Sequence, residues 1–301
     1  VEGDEEGGAS FENDEEGWES LVPVGLEVSL ESVAVKIVQH GLQPSPPSSS
    51  SREKQPPVEI HLENGDVVTA DHVVVTASVG VLKSNLISFE PDLSPAKRDA
   101  LSHVGMACYC KCYLYWKKPW LRRESDNERM WQHMLLLHDN DDDEPPRSVL
   151  DCRFPIITNL PCPNTGGQLF LITLVGHDGR AMEERVLYPD ETSSTTTHRH
   201  ELPTETVSAI TAILQSTFPE CGDDVVDPDE HFCSRWSRDR FFRGAYSVLP
   251  PHCPAGVFDE LNEREGNVWF AGEACSMRYS GFLHGAYCSG VETAERLLAA
   301  L

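Results

Sequence analysis

The segment from Gly266 to Leu301 constrains the fold of this chain more than any other. A short apolar run, 267–271, stops at Gly272 and Glu273; a loop follows, and an amphipathic helix is expected over 282–300. An apolar run this short, closed by glycine, reads as a buried strand. Ala286, Gly290 and Ala294 recur every four residues, which places small side chains in a stripe down one helix face. Such a stripe lets the helix approach a strand, or a flat ligand, closely. The free N–H groups of its first turn carry partial positive charge and suit an anionic or carbonyl-bearing group. On the residues alone, a terminal helix packed on a sheet, with Glu273 merely exposed, explains the same pattern.

Upstream, strands and helices alternate. Two short strands are expected at Val24–Leu30 and Val33–Val38. Val58–Leu62 and Val67–Ala70 flank Asn64 and Gly65, a tight-turn pair. The valine run after Asp71 reads as a buried, parallel strand. Ser94 then Pro95 reads as N-cap and first turn of a helix. Further strands are expected at 107–116 and 168–175. A helix over 204–218 would carry Val207, Ile210, Ile213, Leu214 and Phe218 on one face. Residues 1–20, 42–57, 121–129, 139–147 and 188–203 are polar or low-complexity and are expected to be loops or insertions. The mixture of buried-type and alternating strands points to an α/β nucleotide-binding layer joined to an α+β layer.

The strand at 107–116 has two distinct faces. By its period of two, Tyr109, Lys111, Tyr113 and Tyr115 share one face, and Cys108, Cys110, Cys112 and Leu114 the other. A lysine there fits an exposed sheet edge, or a buried ammonium with a dedicated partner. The chain has ten cysteines but no C-x-x-C. That spacing is no disulfide framework, and it reads as reduced thiols in a reducing, cytoplasmic compartment. No metal site is expected, because the sequence offers no fourth ligand near the three cysteines of this strand.

Charge bears on partners. The formal net charge is −25, which argues against nucleic-acid binding. It suits a small cationic partner such as a polyamine or a lysine-rich peptide through long-range steering. Solvated acidic loops account for it equally well. No apolar run approaches the length of a membrane span, so none is expected.

Four stretches together resemble the flavin-dependent amine oxidases, a family of polyamine, spermine and monoamine oxidases and lysine-specific histone demethylases. They are Phe270 to Ser276 with Gly281 to Gly290; Asp71 to Lys83, in which Ser78 and Val79 stand where the family usually has Pro and Leu; Gly105 to Trp116; and Arg235 to Ser247. The resemblance covers most of 21–301. It implies hydride transfer from an amine to flavin N5, with FAD as cofactor and molecular oxygen as acceptor, giving an imine, then an aldehyde, and hydrogen peroxide. It implies that Glu273, Gly272, Leu283, Trp236 and Ala34 contact FAD. It also implies that Lys111 holds a water at the flavin, and that Tyr246 and Phe282 form an aromatic cage for a spermine- or spermidine-like substrate. On the residues alone, Trp236 and Tyr246 could equally be core aromatics.

The implied fold is a partial FAD-binding, Rossmann-like domain with an inserted substrate domain on a mixed, largely antiparallel sheet and helices. The expected division is 1–20 acidic segment, 21–83 FAD-binding part, 84–232 substrate domain and 233–301 FAD-binding C-terminal part. No G-x-G-x-x-G follows a first strand, so the chain is expected to be the C-terminal part of a longer oxidase. Histone-demethylase-like activity, or a non-catalytic interaction module that keeps the fold, are the competing expectations.

Overall fold

A computed structural model describes residues 26–40, 58–121, 133–135 (backbone only), 156–160, 162, 165–185 and 200–301. The loops expected at 1–20 and 42–57, and nearly all of those at 121–129, 139–147 and 188–203, lie outside these residues.

The elements in order are β1 (Ala34–Gln39), β2 (Val58–Leu62), β3 (Val67–Ala70), β4 (Val73–Val75), α1 (Val79–Lys83), β5 (Ser88–Glu90), α2 (Pro95–His103), β6 (Gly105–Met106) and β7 (Tyr109–Trp116). Then come β8 (His133–Leu135), β9 (Ile156–Leu160), β10 (Gln168–Val175), α3 (Gly176–Glu183), α4 (Thr204–Thr217), β11 (Glu230–Cys233), β12 (Ser247–Val248), α5 (Val257–Asn262), β13 (Val268–Phe270) and α6 (Leu283–Ala300). One sheet runs β3-β2-β1-β5, with β5 parallel to β1 and the rest antiparallel. A second, wholly antiparallel sheet runs β11-β7-β10-β9-β8. β12 pairs antiparallel with β6, and β13 pairs parallel with β4. The chain is α+β, with mixed and antiparallel sheets as expected.

Local chemistry explains most of these elements. Gly65, at φ 92°, makes the turn between β2 and β3. Ser94 caps α2, its hydroxyl accepting from the Lys97 N–H at 3.1 Å, and Pro95 follows. The valine run becomes β4, and its parallel partner β13 is the strand expected at 267–271. One expectation fails. Residues 26–30 form no strand, and Leu26, Val28 and Leu30 are all exposed. Alternation alone makes no strand where no neighbour accepts its ladder, and β1 already has β2 on one side and β5 on the other.

Two apolar clusters hold these layers. The buried face of α4, Val207, Ile210 and Leu214, packs on the β7–β10 face that carries Cys110, Cys112, Leu114, Phe170 and Ile172. Trp116, Trp120, Phe170 and Phe218 interlock there with ring centroids 5.4–6.2 Å apart. The second cluster joins β1, β4 and β13 to α2 and α5 through Ile37, Val75, Phe270, Leu101 and Leu261. No helix among the described residues is long and apolar enough to cross a membrane.

α6 carries two adjacent stripes of small residues, the expected one and another one residue before it. The residues that pack against the protein are Gly285, Ser289 and Thr293, and the Thr293 hydroxyl donates to the Phe270 carbonyl of β13 at 3.0 Å. Ala286 and Gly290 instead line a cleft. Two adjacent stripes of small residues therefore serve two surfaces, one against β13 and one facing open space.

Candidate active site

The cleft lies where β13 ends and α6 passes, with a volume of about 350 Å³. Gly272 ends β13 at φ 144°, a conformation that L side chains avoid, and a Cβ there would meet nothing within 4 Å. Gly290 leaves the same open wall. Tyr246, Met106 and Lys97 line other parts of the cleft.

Glu273 holds the mouth of this cleft together. Its carboxylate accepts from the Ser247 N–H at 2.8 Å, the Ser247 hydroxyl at 2.6 Å and the Gly281 N–H at 2.6 Å. It thus ties β12 to the loop that leads into α6. A carboxylate offers about four acceptor positions, so one remains for a ligand hydroxyl. In Glu273→Gln, one of the three donors must face an amide NH₂. A stability loss of about 2 kcal/mol is expected, read from the denaturant midpoint; no shift would mean that the Ser247 and Gly281 bonds contribute nothing.

At the start of α6, Phe282 is the N-cap and makes no side-chain cap hydrogen bond. Phe282 and Leu283 are 61% and 90% exposed, so this helix end is uncovered. Gly281 sits against Tyr246: a Cβ on it would be 3.4 Å from the Tyr246 ring. The Tyr246 and Tyr109 rings lie 5.9 Å apart, and the Lys111 Nζ lies 5.8 Å from the Tyr109 ring centre. Lys111 is half-buried, on the face expected for it, and its Nζ has no hydrogen bond or ion pair among the described residues. Its backbone is held by Ser234, whose hydroxyl accepts from the Lys111 N–H at 2.8 Å and whose own N–H donates to the Lys111 carbonyl at 2.9 Å.

Lys111, Tyr246, Phe282, Gly272, Glu273 and Leu283 are thus linked in one neighbourhood, although only Gly272, Glu273 and Tyr246 line the cleft itself. Trp236 stands edge-on to Phe242 with centroids 4.9 Å apart. Ala34 lines a second cavity of about 500 Å³, which shares Ala77 and Phe241 with the cleft. The sequence reading missed Lys97, buried in α2, and Ser247, the double donor to Glu273. Neither carries a local signal: one lies on a polar-looking helix and the other is a single serine after an aromatic.

The family model for flavin containing amine oxidoreductases matches residues 19–298. The chain belongs to that family. It is 28% identical over 290 residues to Polyamine oxidase 1 of Zea mays, covering 96% of this chain and 52% of that protein. It is 30% identical to Histone demethylase-like protein A of Aspergillus fumigatus, over 92% of this chain and 23% of the other. Among solved structures, cyclohexylamine oxidase from Brevibacterium oxydans IH-35A superposes with TM-score 0.57 at 17% identity, covering 89% of this chain and 48% of its own. A triple mutant of putrescine oxidase gives 0.61 at 13%, covering 90% and 49%. At these identities the two structures establish the fold alone. This amine oxidoreductase chain spans about half the length, or less, of the relatives it matches.

The residues present fit a flavin group. The cleft and the second cavity adjoin through Ala77 and Phe241, as an extended ligand needs. Gly272 and Gly290 leave a wall free of side chains, and an uncapped helix start stands nearby.

Proposed function

We propose that this chain serves an FAD-dependent amine oxidase whose substrate is a polyamine. The observation that carries the reading is the line of contacts from Lys111 through Tyr109 and Tyr246 to Gly281 and the Glu273 carboxylate. Bound FAD would supply two-electron oxidation of the carbon beside the amine nitrogen, with molecular oxygen as final acceptor and hydrogen peroxide as product.

The protein's part is binding and orientation. Glu273 would accept from a cofactor hydroxyl through its remaining acceptor position, and the uncovered N–H of Leu283 would donate to a cofactor carbonyl. Gly272 would let the ring system approach, Ala34 would border the far end of the ligand in the adjoining cavity, and Trp236 would flank it. Lys111 would hold a water through its unpaired ammonium. Tyr246 and Phe282 would orient the amine, since aromatic faces attract ammonium groups. The net charge of −25 would raise the local concentration of a polycation. The described cysteines are all free, which supports a reducing, cytoplasmic setting.

The identity to a histone demethylase-like protein favours methylated lysine as a second substrate class. Between β7 and β11 the longest described helix, α4, has 14 residues.

Anaerobic spermine, added to the FAD-loaded protein made from the full reading frame that contains this chain, is expected to bleach the flavin absorbance. A flavin that stays oxidised with spermine but bleaches with a dimethyl-lysine peptide would transfer the assignment to the second class; one that resists both would overturn the oxidase reading. In the same protein, Lys111→Met is expected to slow flavin reduction or reoxidation at least about tenfold, with bound flavin unchanged. Equal rates in both half-reactions would remove Lys111 from the chemistry.

A further inference from the structure

Behind the Lys111 face, on the opposite side of β7, three thiols converge. Cys233 of β11 stands directly across from Cys112 of β7, and the two sulfurs are 2.8 Å apart. Cys110 lies 3.4 Å from Cys233 and 4.0 Å from Cys112. All three are fully buried. α3 packs across β7 and β10 on this side, with its Met182 in the same apolar cluster.

Three thiols at these separations form a donor set suited to a soft cation. We propose that Cys110, Cys112 and Cys233 bind a single d¹⁰ divalent cation of the zinc class, which fastens the edge strand β11 to β7.

The geometry supports a metal over a simple thiol cluster. With Zn–S near 2.3 Å, sulfurs on a tetrahedron stand about 3.8 Å apart. Two of the three separations are within about 0.4 Å of that value. The third must open by about 1 Å; His200 pairs with the Cys233 backbone N–H and carbonyl at the end of the edge strand β11, so the opening falls to the Cys233 side chain. A Cys112–Cys233 disulfide would leave the third buried thiol, Cys110, unexplained. Ser234, next to Cys233, clasps the Lys111 backbone in both directions, so the metal would also steady the strand that presents Lys111.

The test uses the full chain, kept reduced, with zinc and cobalt(II) as probes. One zinc per chain is expected to survive competition by a chromophoric chelator and to raise the melting temperature. Cobalt(II) should give an intense sulfur-to-metal charge-transfer band. Cys233→Ser is expected to weaken binding on the order of a hundredfold. The cobalt spectrum is read on the unaltered chain, so a variant that fails to fold leaves the test intact. A cobalt spectrum without the thiolate band would overturn the proposal. So would zinc binding that is unchanged in a Cys110→Ser, Cys112→Ser, Cys233→Ser variant, or a Cys112–Cys233 disulfide found by mass spectrometry after alkylation in the cell extract.

Discussion

Gly285→Ala is expected to lower the stability of the chain by about 3 kcal/mol, the upper end of overpacking by one methyl group. Gly285 lies in the first turn of α6, on the face that packs inward. A Cβ there would fall well inside contact distance of the Tyr279 carbonyl oxygen and its carbon. That oxygen cannot retreat freely, because it accepts from the Phe282 N–H at 3.2 Å, and the Tyr279 ring stands edge-on to His284 at 4.5 Å. The methyl group must therefore displace backbone, which yields far less readily than a side chain. Alanine's better helix propensity, at most about 1 kcal/mol, does not offset this. Gly290→Ala is the control: nothing lies within 4 Å of its new Cβ, so stability should hold or rise slightly, while the methyl group narrows the cleft. Denaturant midpoints for the two variants, with flavin binding alongside, separate packing from ligand space. A Gly285→Ala chain as stable as the parent would show that the 276–281 loop gives way.

Raising the pH from 8 to 10.5 is expected to stabilise the parent chain relative to Lys97→Met by about 3 kcal/mol, at 1.36 kcal/mol per unit of pKa shift. Lys97 is 1% exposed, and burial brings its pKa down to about 8. The unfolded chain holds the Lys97 proton up to its ordinary value of 10.5. Between those values the unfolded state binds more protons than the native one, so stability rises with pH there. Below pH 8 both states are protonated, and the native state carries the full penalty of a buried ammonium. That penalty is softened by the Leu261 and Glu263 carbonyls at the end of α5, 2.8 and 2.5 Å from Nζ, and by the Phe270 ring 4.2 Å below it. The neutral amine still has two N–H groups for those two carbonyls, which is why losing the charge relieves strain without breaking the link. A flat difference between the two proteins across this range would mean that water reaches Lys97.

How much of this was legible beforehand depends on the distance over which each signal acts. Period-two alternation separated the Lys111 face of β7 from its cysteine face, because one strand decides it. Ser94 with Pro95, Asn64 with Gly65, and the strand–glycine–helix unit around Gly272 are equally local. The expected α6 stripe supplies Ala286 and Gly290 to the cleft, while the stripe beside it, which packs on β13, went unseen because only contact with Phe270 reveals it. Of the strand expected over Val24–Leu30, the described residues 26–30 form none for want of a partner, which no run of residues reveals about itself. The thiol cluster was hidden because Cys112 and Cys233 are 121 residues apart. Lys97 was hidden because its partners are backbone carbonyls, which any sequence supplies.

The three protein donors on Glu273 bear on the thermodynamics of filling the cleft. A glutamate free in solvent surrenders its rotamers when a ligand arrives, a penalty of up to about 2 kcal/mol for long polar side chains. Here Ser247 and Gly281 have already fixed that carboxylate. A hydroxyl that docks on its remaining acceptor position joins an ordered group and displaces little more than water. Polyol recognition at this point should then show a small entropic penalty in calorimetry, and Ser247→Ala, which frees one side of the carboxylate, should weaken binding through entropy more than through enthalpy.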